Sequence, residues 1–450
     1  MYLSGGPGAD SRMFLHVAHA SRHRHEKILV RTVDTDVVVL AVAVAQTLPA
    51  DSELWLAFGT GTSFRYLAAP ELAVSLGPDK SRALPMFHAL TGCDTVSVFL
   101  GHGKRTAWAT WKAMPALTNT LLDLSSAPDD VPDDGMRVIE RFVILIKLIG
   151  AILQSITYRE YVPLVVGTAA MSKYDLTVGN VPDPTMYNPE INPAIRNSFS
   201  TAAFRFAHAT IPSDFDMVFN DNTTRSLPIE QSFLEPLQFH TKYFDGILAG
   251  MTKQCAREAS VFMASSVSKQ LGNLRGKKPF GSDLGATNIQ RGRDHGLPPW
   301  NEFREFCGFS KYNRFEEIPD IDPRILFNLK LSYEHVDDID LFVGGLLEKP
   351  VAGGATGETF ACLNAKQFEI LKNGDRFFYT NGATADKLKG IGYSAAKIKE
   401  LNKASLARLL CDFTNIEEIQ PRVLEKANSC SNAVVKCDQI PMFSISFLMS

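Results

Sequence analysis

Residues 197–211 read NSFSTAAFRFAHATI, and this stretch decides how the rest of the chain is interpreted. Alanine and phenylalanine dominate it, and neither glycine nor proline interrupts it, so it is predicted to be a helix. On a helix, Phe204, Arg205 and His208 share one face, because residues three and four positions apart are neighbours. An imidazole and a guanidinium on a largely apolar surface suit either a buried structural histidine or a metal ligand.

A second stretch, residues 288–299, reads NIQRGRDHGLPP and favours the metal-ligand interpretation. At helical spacing Asn288, Arg291 and His295 line one side, and Gly296 with the two prolines that follow ends the helix.

Together the two stretches closely resemble the animal haem peroxidase family. The resemblance runs from about residue 137 to 445 and includes TYREYVPLVVG, which ends at Gly167, and NGDRFFY at residues 373–379. It implies a mainly α-helical domain in which His208 is the proximal ligand of haem b iron and Asn288 holds the other ring nitrogen. Arg205 and Arg291 would face the haem propionates, since carboxylates suit fixed guanidinium groups.

The resemblance also implies an activity. Members of the family use hydrogen peroxide to oxidise small donors such as phenols or halides, and splitting peroxide needs a distal base and a cation. The family's distal histidine, arginine and calcium loop belong upstream of residue 137, but residues 1–136 contain none of these motifs. Neither His88 nor His102 has the right neighbours. The sequence therefore identifies no catalytic residue on the distal side, and a catalytically inactive haem-binding protein is an alternative.

Seven cysteines are present, and their spacing alone does not pair them. The resemblance implies the disulfides Cys307–Cys362 and Cys411–Cys437. Disulfides persist in oxidising compartments, so the resemblance also implies an extracellular location.

No targeting segment is expected in the chain itself. Met1 opens MYLSGGPGAD, which has neither a basic nor an apolar signal region. The longest apolar run, residues 142–156, contains Lys147 and is too short to cross a bilayer. With 45% hydrophobic residues, the 450-residue chain can form two or three folded domains, and its net charge of -3 gives no bias towards nucleic acid or membranes.

Residues 1–115 differ from the rest, because short apolar runs alternate with helical ones and predict a small α/β module. Over about a hundred residues it resembles a truncated PIN-like, flap-nuclease-type module of transposon-derived proteins, through ADSR, DTDVVVL and TGCDT. Gly8 stands where such modules commonly carry an acidic residue. The alternative function is thus a metal-dependent nuclease that binds nucleic acid, and its Mg²⁺ ligands would be Asp10, Asp34, Asp36 and Asp94. Solvated turn aspartates are the structural alternative.

A linker is predicted over residues 116–136, where LTNTLLDLSSAPDDVPDDG is rich in serine, proline and aspartate. It would separate the α/β module from the proximal half of a peroxidase domain, residues 137–450.

Overall fold

A computed structural model describes residues 9–49, 51–60, 64–92, 104–126, 132–219, 221, 223–233, 243–273, 279–319, 321–382 and 392–449. The described residues are mainly helical with a few short strands, which confirms the predicted fold class. The chain divides into two compact units, residues 1–150 and 151–448, apart from its last two residues.

The first unit contains a small sheet and helices. Its elements are α1 Ala9–Arg22, β1 Lys27–Thr32, α2 Thr35–Ala45, β2 Glu53–Phe58, β3 Arg65–Ala68, α3 Ala69–Leu76, α4 Pro78–Leu90, α5 Lys104–Ala113, α6 Ala116–Ser125 and the first part of α7 Asp133–Ile156.

The sheet has the order β1-β2-β3, with β1 and β2 parallel and β3 antiparallel to β2. Parallel neighbours need a crossover, and α2 provides it. Although α2 is rich in valine, it is helical because Asp34 caps its first turn and Val37 and Ala41 are buried. This arrangement agrees with the α/β layering predicted for residues 1–115, whereas the PIN-like assignment stays a prediction.

The first half of the linker predicted over residues 116–136 contains the helix α6, and the domain boundary assigned to that region stays a prediction. Leu117 and Leu121 lie four residues apart and are fully buried, so they give the helix an apolar face. They belong to one core with residues of α4, α5 and α7, namely Phe87, Trp111 and Phe142. The first unit consequently extends to Gly150, beyond the predicted limit at residue 115.

The second unit is built from helices and short turns. It begins with the end of α7, a π-helical turn Thr157–Tyr161 and α8 Val162–Lys173. Then come α9 Asn197–Thr201, a 3-10 turn Ala203–Arg205, α10 Ala207–Thr210, the antiparallel strands β4 Asp214–Val218 and β5 Thr224–Pro228, and α11 Phe244–Met251. The remaining elements are α12 Ser265–Ser268, α13 Leu284–Asp294, α14 Trp300–Phe306, α15 Pro323–Ser332, α16 Leu341–Leu347, α17 Glu358–Gly374, α18 Ala395–Leu401, α19 Leu406–Phe413, β6 Glu418–Ile419, β7 Val435–Lys436 and α20 Ile445–Met449.

The longest helix that lies wholly within the second unit among the described residues is α17, in which ten residues are inaccessible to solvent or nearly so. Cys362 of α17 is bonded to Cys307, the residue that ends α14, and Cys411 of α19 is bonded to Cys437. Both disulfides that the resemblance implied are therefore present.

Residues 197–211 do not form one helix, which corrects the prediction. The chain departs from helical geometry at Ala202, with φ -134° and ψ -64°, so that α9, the 3-10 turn and α10 follow one another. Asn364 of α17 donates to the carbonyl oxygen of Ala203 over 3.4 Å, and Gln367 accepts from the Arg196 amide over 2.8 Å. These contacts with a distant helix override the local helix propensity.

Candidate functional site

His208 and Asn288, predicted to act together, do lie together. His208 belongs to α10 and Asn288 to the second turn of α13, whose start is fixed by the carboxylate of Asp283 accepting from the Ala286 amide. The Asn288 side chain is fully buried, and its Nδ2 lies 2.9 Å from Nδ1 of His208. The asparagine is therefore placed to orient the imidazole ring.

Arg205 joins this pair. Its Nη1 donates to Oδ1 of Asn288 over 3.1 Å, and its Nε donates to the Ser200 carbonyl over 2.9 Å. The three side chains thus form one hydrogen-bonded chain from Arg205 through Asn288 to His208. The sequence predicted the membership of this group, but it assigned Arg205 to propionates and not to the asparagine.

The surroundings of His208 favour the uncharged form of its imidazole. Burial lowers the pKa of His208, the positive charge of Arg205 lowers that pKa further, and the hydrogen bond with Asn288 opposes them. A neutral imidazole is the form that binds metals. Within the part of the chain that the structure describes, Nε2 of His208 makes no hydrogen bond, so the second ring nitrogen is free to meet a ligand.

The two elements are tied together at a second point. Asn197, the first residue of α9, donates through Nδ2 to the His295 carbonyl over 3.3 Å, and its Oδ1 lies 2.9 Å from Nδ1 of His295. His295 caps the end of α13, and Gly296 follows with φ 62°, a conformation that favours glycine. The sequence placed His295 on the face of Asn288. Its actual role as a link between the two stretches was missed, although both residues lie inside them.

The α17 helix supports the site from behind. Phe204 stacks on Phe199 with ring centroids 4.5 Å apart, and the Phe368 ring meets each of them edge-on at 6.0 Å. Gln367 is fully buried and holds the entry to α9 through the Arg196 amide. Sequence reasoning missed these supporting residues. A polar Gln367 within the apolar pattern FACLNAKQF was the available signal.

Arg291 lies one turn after Asn288 on α13, but it does not join the hydrogen-bonded chain. Its side chain is 56% exposed, and its Nη1 is 3.6 Å from a carboxylate oxygen of Asp294. A solvent-facing guanidinium is free to meet a carboxylate that approaches from outside. The predicted propionate role of Arg291 stays a prediction.

The aspartates of the first unit are only partly brought together. Asp34 accepts from the Asp36 amide over 2.8 Å, and Asp36 Oδ1 lies 2.6 Å from Nε2 of His88. Lys104 Nζ is 2.8 Å from the other ring nitrogen of His88. The predicted ligand Asp10 belongs to α1, and Asp94 lies outside the described residues. Among the residues with a described position, no group of three or more His, Cys, Asp or Glu side chains is arranged to hold a metal ion, so the nuclease site stays a prediction.

Comparison with known proteins assigns the family. The family model described as "Animal haem peroxidase" matches residues 146–424, which is more than half of the chain. This chain belongs to the animal haem peroxidase family. "Peroxidase" of Drosophila melanogaster is 37% identical over 300 residues, which cover 65% of this chain and 42% of that protein. "Thyroid peroxidase" of Rattus norvegicus is 34% identical over 314 residues, covering 66% of this chain and 32% of that protein.

Among solved structures, peroxidase A from Dictyostelium discoideum is 28% identical, with a TM-score of 0.49, and the match covers 64% of this chain and 52% of that one. This chain spans less than half the length of the two curated relatives, the peroxidase of Drosophila melanogaster and the thyroid peroxidase of Rattus norvegicus. In the described ranges, no helix is both long and apolar enough to cross a membrane.

Membership of the animal haem peroxidase family implies haem iron as the cofactor, and the residues around His208 suit it. The pKa of the imidazole is lowered by burial and by Arg205, one of its nitrogens has a buried polar partner, and the other makes no hydrogen bond in the described structure. Such a donor set is typical of an axial histidine ligand with its supporting side chain.

Proposed function

We propose that this chain binds haem b with His208 as the proximal ligand of the iron, and that it acts as a peroxidase-type oxidoreductase. The observation that carries the proposal is the hydrogen-bonded chain from Arg205 through Asn288 to His208. The amide of Asn288 is fully buried and contacts the imidazole of His208. An iron ligand needs such a partner to hold the orientation of its ring.

The proposed roles follow from the chemistry of each group. Haem, when bound, would supply the two-electron redox chemistry with hydrogen peroxide. The protein would bind and orient the haem. His208 presents a ring nitrogen to the iron, and Asn288 holds the ring. Arg291, whose side chain is exposed, and Arg205 are the proposed partners of the propionates, through charge-assisted hydrogen bonds. The proposed oxidant is hydrogen peroxide, and the proposed donors are small phenols or halides.

We also propose an extracellular location, which the two disulfides of the second unit support because such bonds persist in oxidising compartments. Four of the seven cysteines take part in them. Thiol titration of the denatured, unreduced protein from its native source should therefore count at most three thiols. Seven thiols would contradict the location.

An optical titration of the purified chain with ferric haem tests the cofactor proposal. The expected result is a shift of the Soret band at one equivalent of haem, lost in His208→Ala. The matched control is His25→Ala, because His25 is an exposed imidazole of the first unit. A shift that survives in His208→Ala, or that is absent in the unmodified chain, would refute ligation by His208.

Addition of peroxide and guaiacol to the loaded protein then tests the activity. Turnover that depends on His208 supports the peroxidase proposal. A Soret shift without turnover supports the alternative, a haem-binding protein without catalysis.

A further inference from the structure

The C-terminal end of α1 carries two histidines that the proposed function does not use. His19 lies in the last turn of the helix, and His23 directly follows its last residue, Arg22. The His23 amide donates to the His19 carbonyl oxygen over 3.1 Å, so the helical hydrogen-bond pattern continues to His23. Both residues are exposed, and residues four apart on a helix are neighbours, so the two imidazoles lie side by side on a solvent-facing surface.

The two rings have nearly the spacing that a shared metal ion requires. Their centroids are 4.1 Å apart, and the ring planes are inclined by 32°. Imidazole nitrogens bind Zn²⁺ at about 2.0–2.1 Å, and in a tetrahedral site this places two ring centroids about 5 Å apart. The rings of His19 and His23 therefore need to separate by only about 1 Å, which exposed side chains achieve by rotation about their χ angles.

The hydrogen bond of the His23 ring determines which of its nitrogens is available. Nδ1 lies 2.9 Å from the carbonyl oxygen of His19, and because a carbonyl oxygen only accepts, Nδ1 carries the hydrogen. In the neutral ring the free lone pair is then on Nε2, which makes no hydrogen bond within the part of the chain that the structure describes. Metal-binding histidines typically have this arrangement, in which the other ring N–H is donated to a backbone carbonyl or a carboxylate.

We propose that His19 and His23 form a two-histidine binding site for a divalent transition-metal ion at the end of α1. Imidazole nitrogens suit Zn²⁺, Ni²⁺ and Cu²⁺, whereas Mg²⁺ and Ca²⁺ take oxygen ligands. Water completes the coordination shell, because no group of three or more His, Cys, Asp or Glu side chains among the described residues is arranged to hold a metal. The site is separate from the haem site and does not rest on the proposed function.

A metal ion at this place should stabilise the end of α1. It links two positions four residues apart, which a helical backbone keeps close together. The helix ends directly afterwards, where Arg24 adopts φ 64°, and the chain enters β1 at Lys27. The carbonyl groups at the C-terminus of a helix favour a cation, whereas the charges of Arg22 and Arg24 oppose it. Because a ligand that binds only the folded form stabilises that form, Zn²⁺ should slow hydrogen exchange in this segment.

Hydrogen exchange followed by mass spectrometry, at increasing concentrations of ZnCl₂ in a buffer that does not bind metal, tests the site in the full haem-free chain. The expected result is slower exchange in peptides from the end of α1. The Zn²⁺ concentration needed should increase by at least about 10-fold in His19→Ala and in His23→Ala, because each loses the second contact of the chelate. His19→Ala is the sharper variant, since the carbonyl that holds the His23 ring belongs to the backbone and stays. Mg²⁺ should leave the exchange unchanged.

His16→Ala and His25→Ala are the matched controls, because both remove an exposed imidazole of the same segment that lies outside the pair. Both should respond to Zn²⁺ as the unmodified chain does. Isolated surface imidazoles that bind metal one at a time predict the same small loss in all four variants, and that result would overturn the proposal. So would a Zn²⁺ response that persists undiminished in His19→Ala, or the absence of any response in the unmodified chain.

Discussion

A buried ion pair in the second unit allows a quantitative prediction about stability. The side chains of Arg304 and Glu348 are 5% and 8% exposed, and Arg304 Nη1 lies 2.6 Å from Glu348 Oε1. The same carboxylate accepts from Trp300 Nε1 over 3.0 Å and from the amide and hydroxyl of Thr359 over 2.7 and 2.6 Å. The perturbation is Arg304→Leu, which removes the cation and leaves the carboxylate in place.

The magnitude follows from the unpaired charge. Removing one partner of a buried ion pair costs about 3–5 kcal/mol, because the other charge stays buried without compensation. Burial already raises the pKa of Glu348, and loss of the nearby Arg304 charge raises that pKa further. An acid whose pKa is raised by folding stabilises the fold below its unfolded pKa and loses this contribution as pH rises. The loss of unfolding free energy caused by Arg304→Leu should therefore be smaller at pH 4 than at pH 7.

Hydrogen exchange followed by mass spectrometry measures the effect as the opening free energy of peptides from α17, which carries Thr359. The matched control is Arg324→Leu, whose exposed side chain pairs with Asp322 at the surface and should leave the opening free energy unchanged. The double variant Arg304→Leu with Glu348→Leu should recover most of the loss, because it leaves no buried charge. An equal effect of Arg304→Leu and Arg324→Leu at pH 7 would refute the reasoning.

Two further predictions concern the packing of the second unit. Burial raises the pKa of Tyr379 to about 12, so its contribution is complete below pH 10 and is lost as pH rises from 10 to 12. The free energy of unfolding, measured with urea from pH 9 to 11, should fall less steeply with pH in Tyr379→Phe than in the unmodified chain. Over the whole interval to pH 12 the difference should reach at most about 3 kcal/mol. Parallel curves for the two proteins would contradict this prediction. Gly344→Ala would place a methyl group 2.1 Å from Cγ of Trp300 and should cost more than about 1 kcal/mol, whereas Gly179→Ala, with neighbouring atoms at 3.9 Å, should not. Equal melting temperatures for the two variants would disprove the overpacking.

The sequence predicts the composition of the candidate site better than its geometry. Arg205, His208 and Asn288 could be named because the two stretches that contain them resemble the animal haem peroxidase family, and a ligating imidazole needs a polar partner. The disulfide Cys307–Cys362 could be named only through the family resemblance, since seven cysteines leave many pairings open. The helix α6 was missed because serine, proline and aspartate dominate the composition of its surroundings, although the apolar face of Leu117 and Leu121 was present in the sequence.

The break at Ala202 could not be predicted, because its cause lies far away in the sequence. Local propensity favours a continuous helix, and the residues that oppose it, Asn364 and Gln367, come from α17.

This failure of the local rule coincides with the candidate site. In a continuous helix the Ser200 carbonyl would accept from the amide four residues later, as every interior carbonyl of a helix does. Because the helix stops at Thr201, this carbonyl accepts from Nε of Arg205 instead, and the guanidinium is held where it meets Asn288. Functional sites are where a chain is expected to depart from its local secondary-structure propensity, because the geometry of the site is kept at a cost in local stability. The break at Ala202 thus lets the arginine of this segment join a hydrogen-bonded chain that reaches the imidazole of His208 through Asn288.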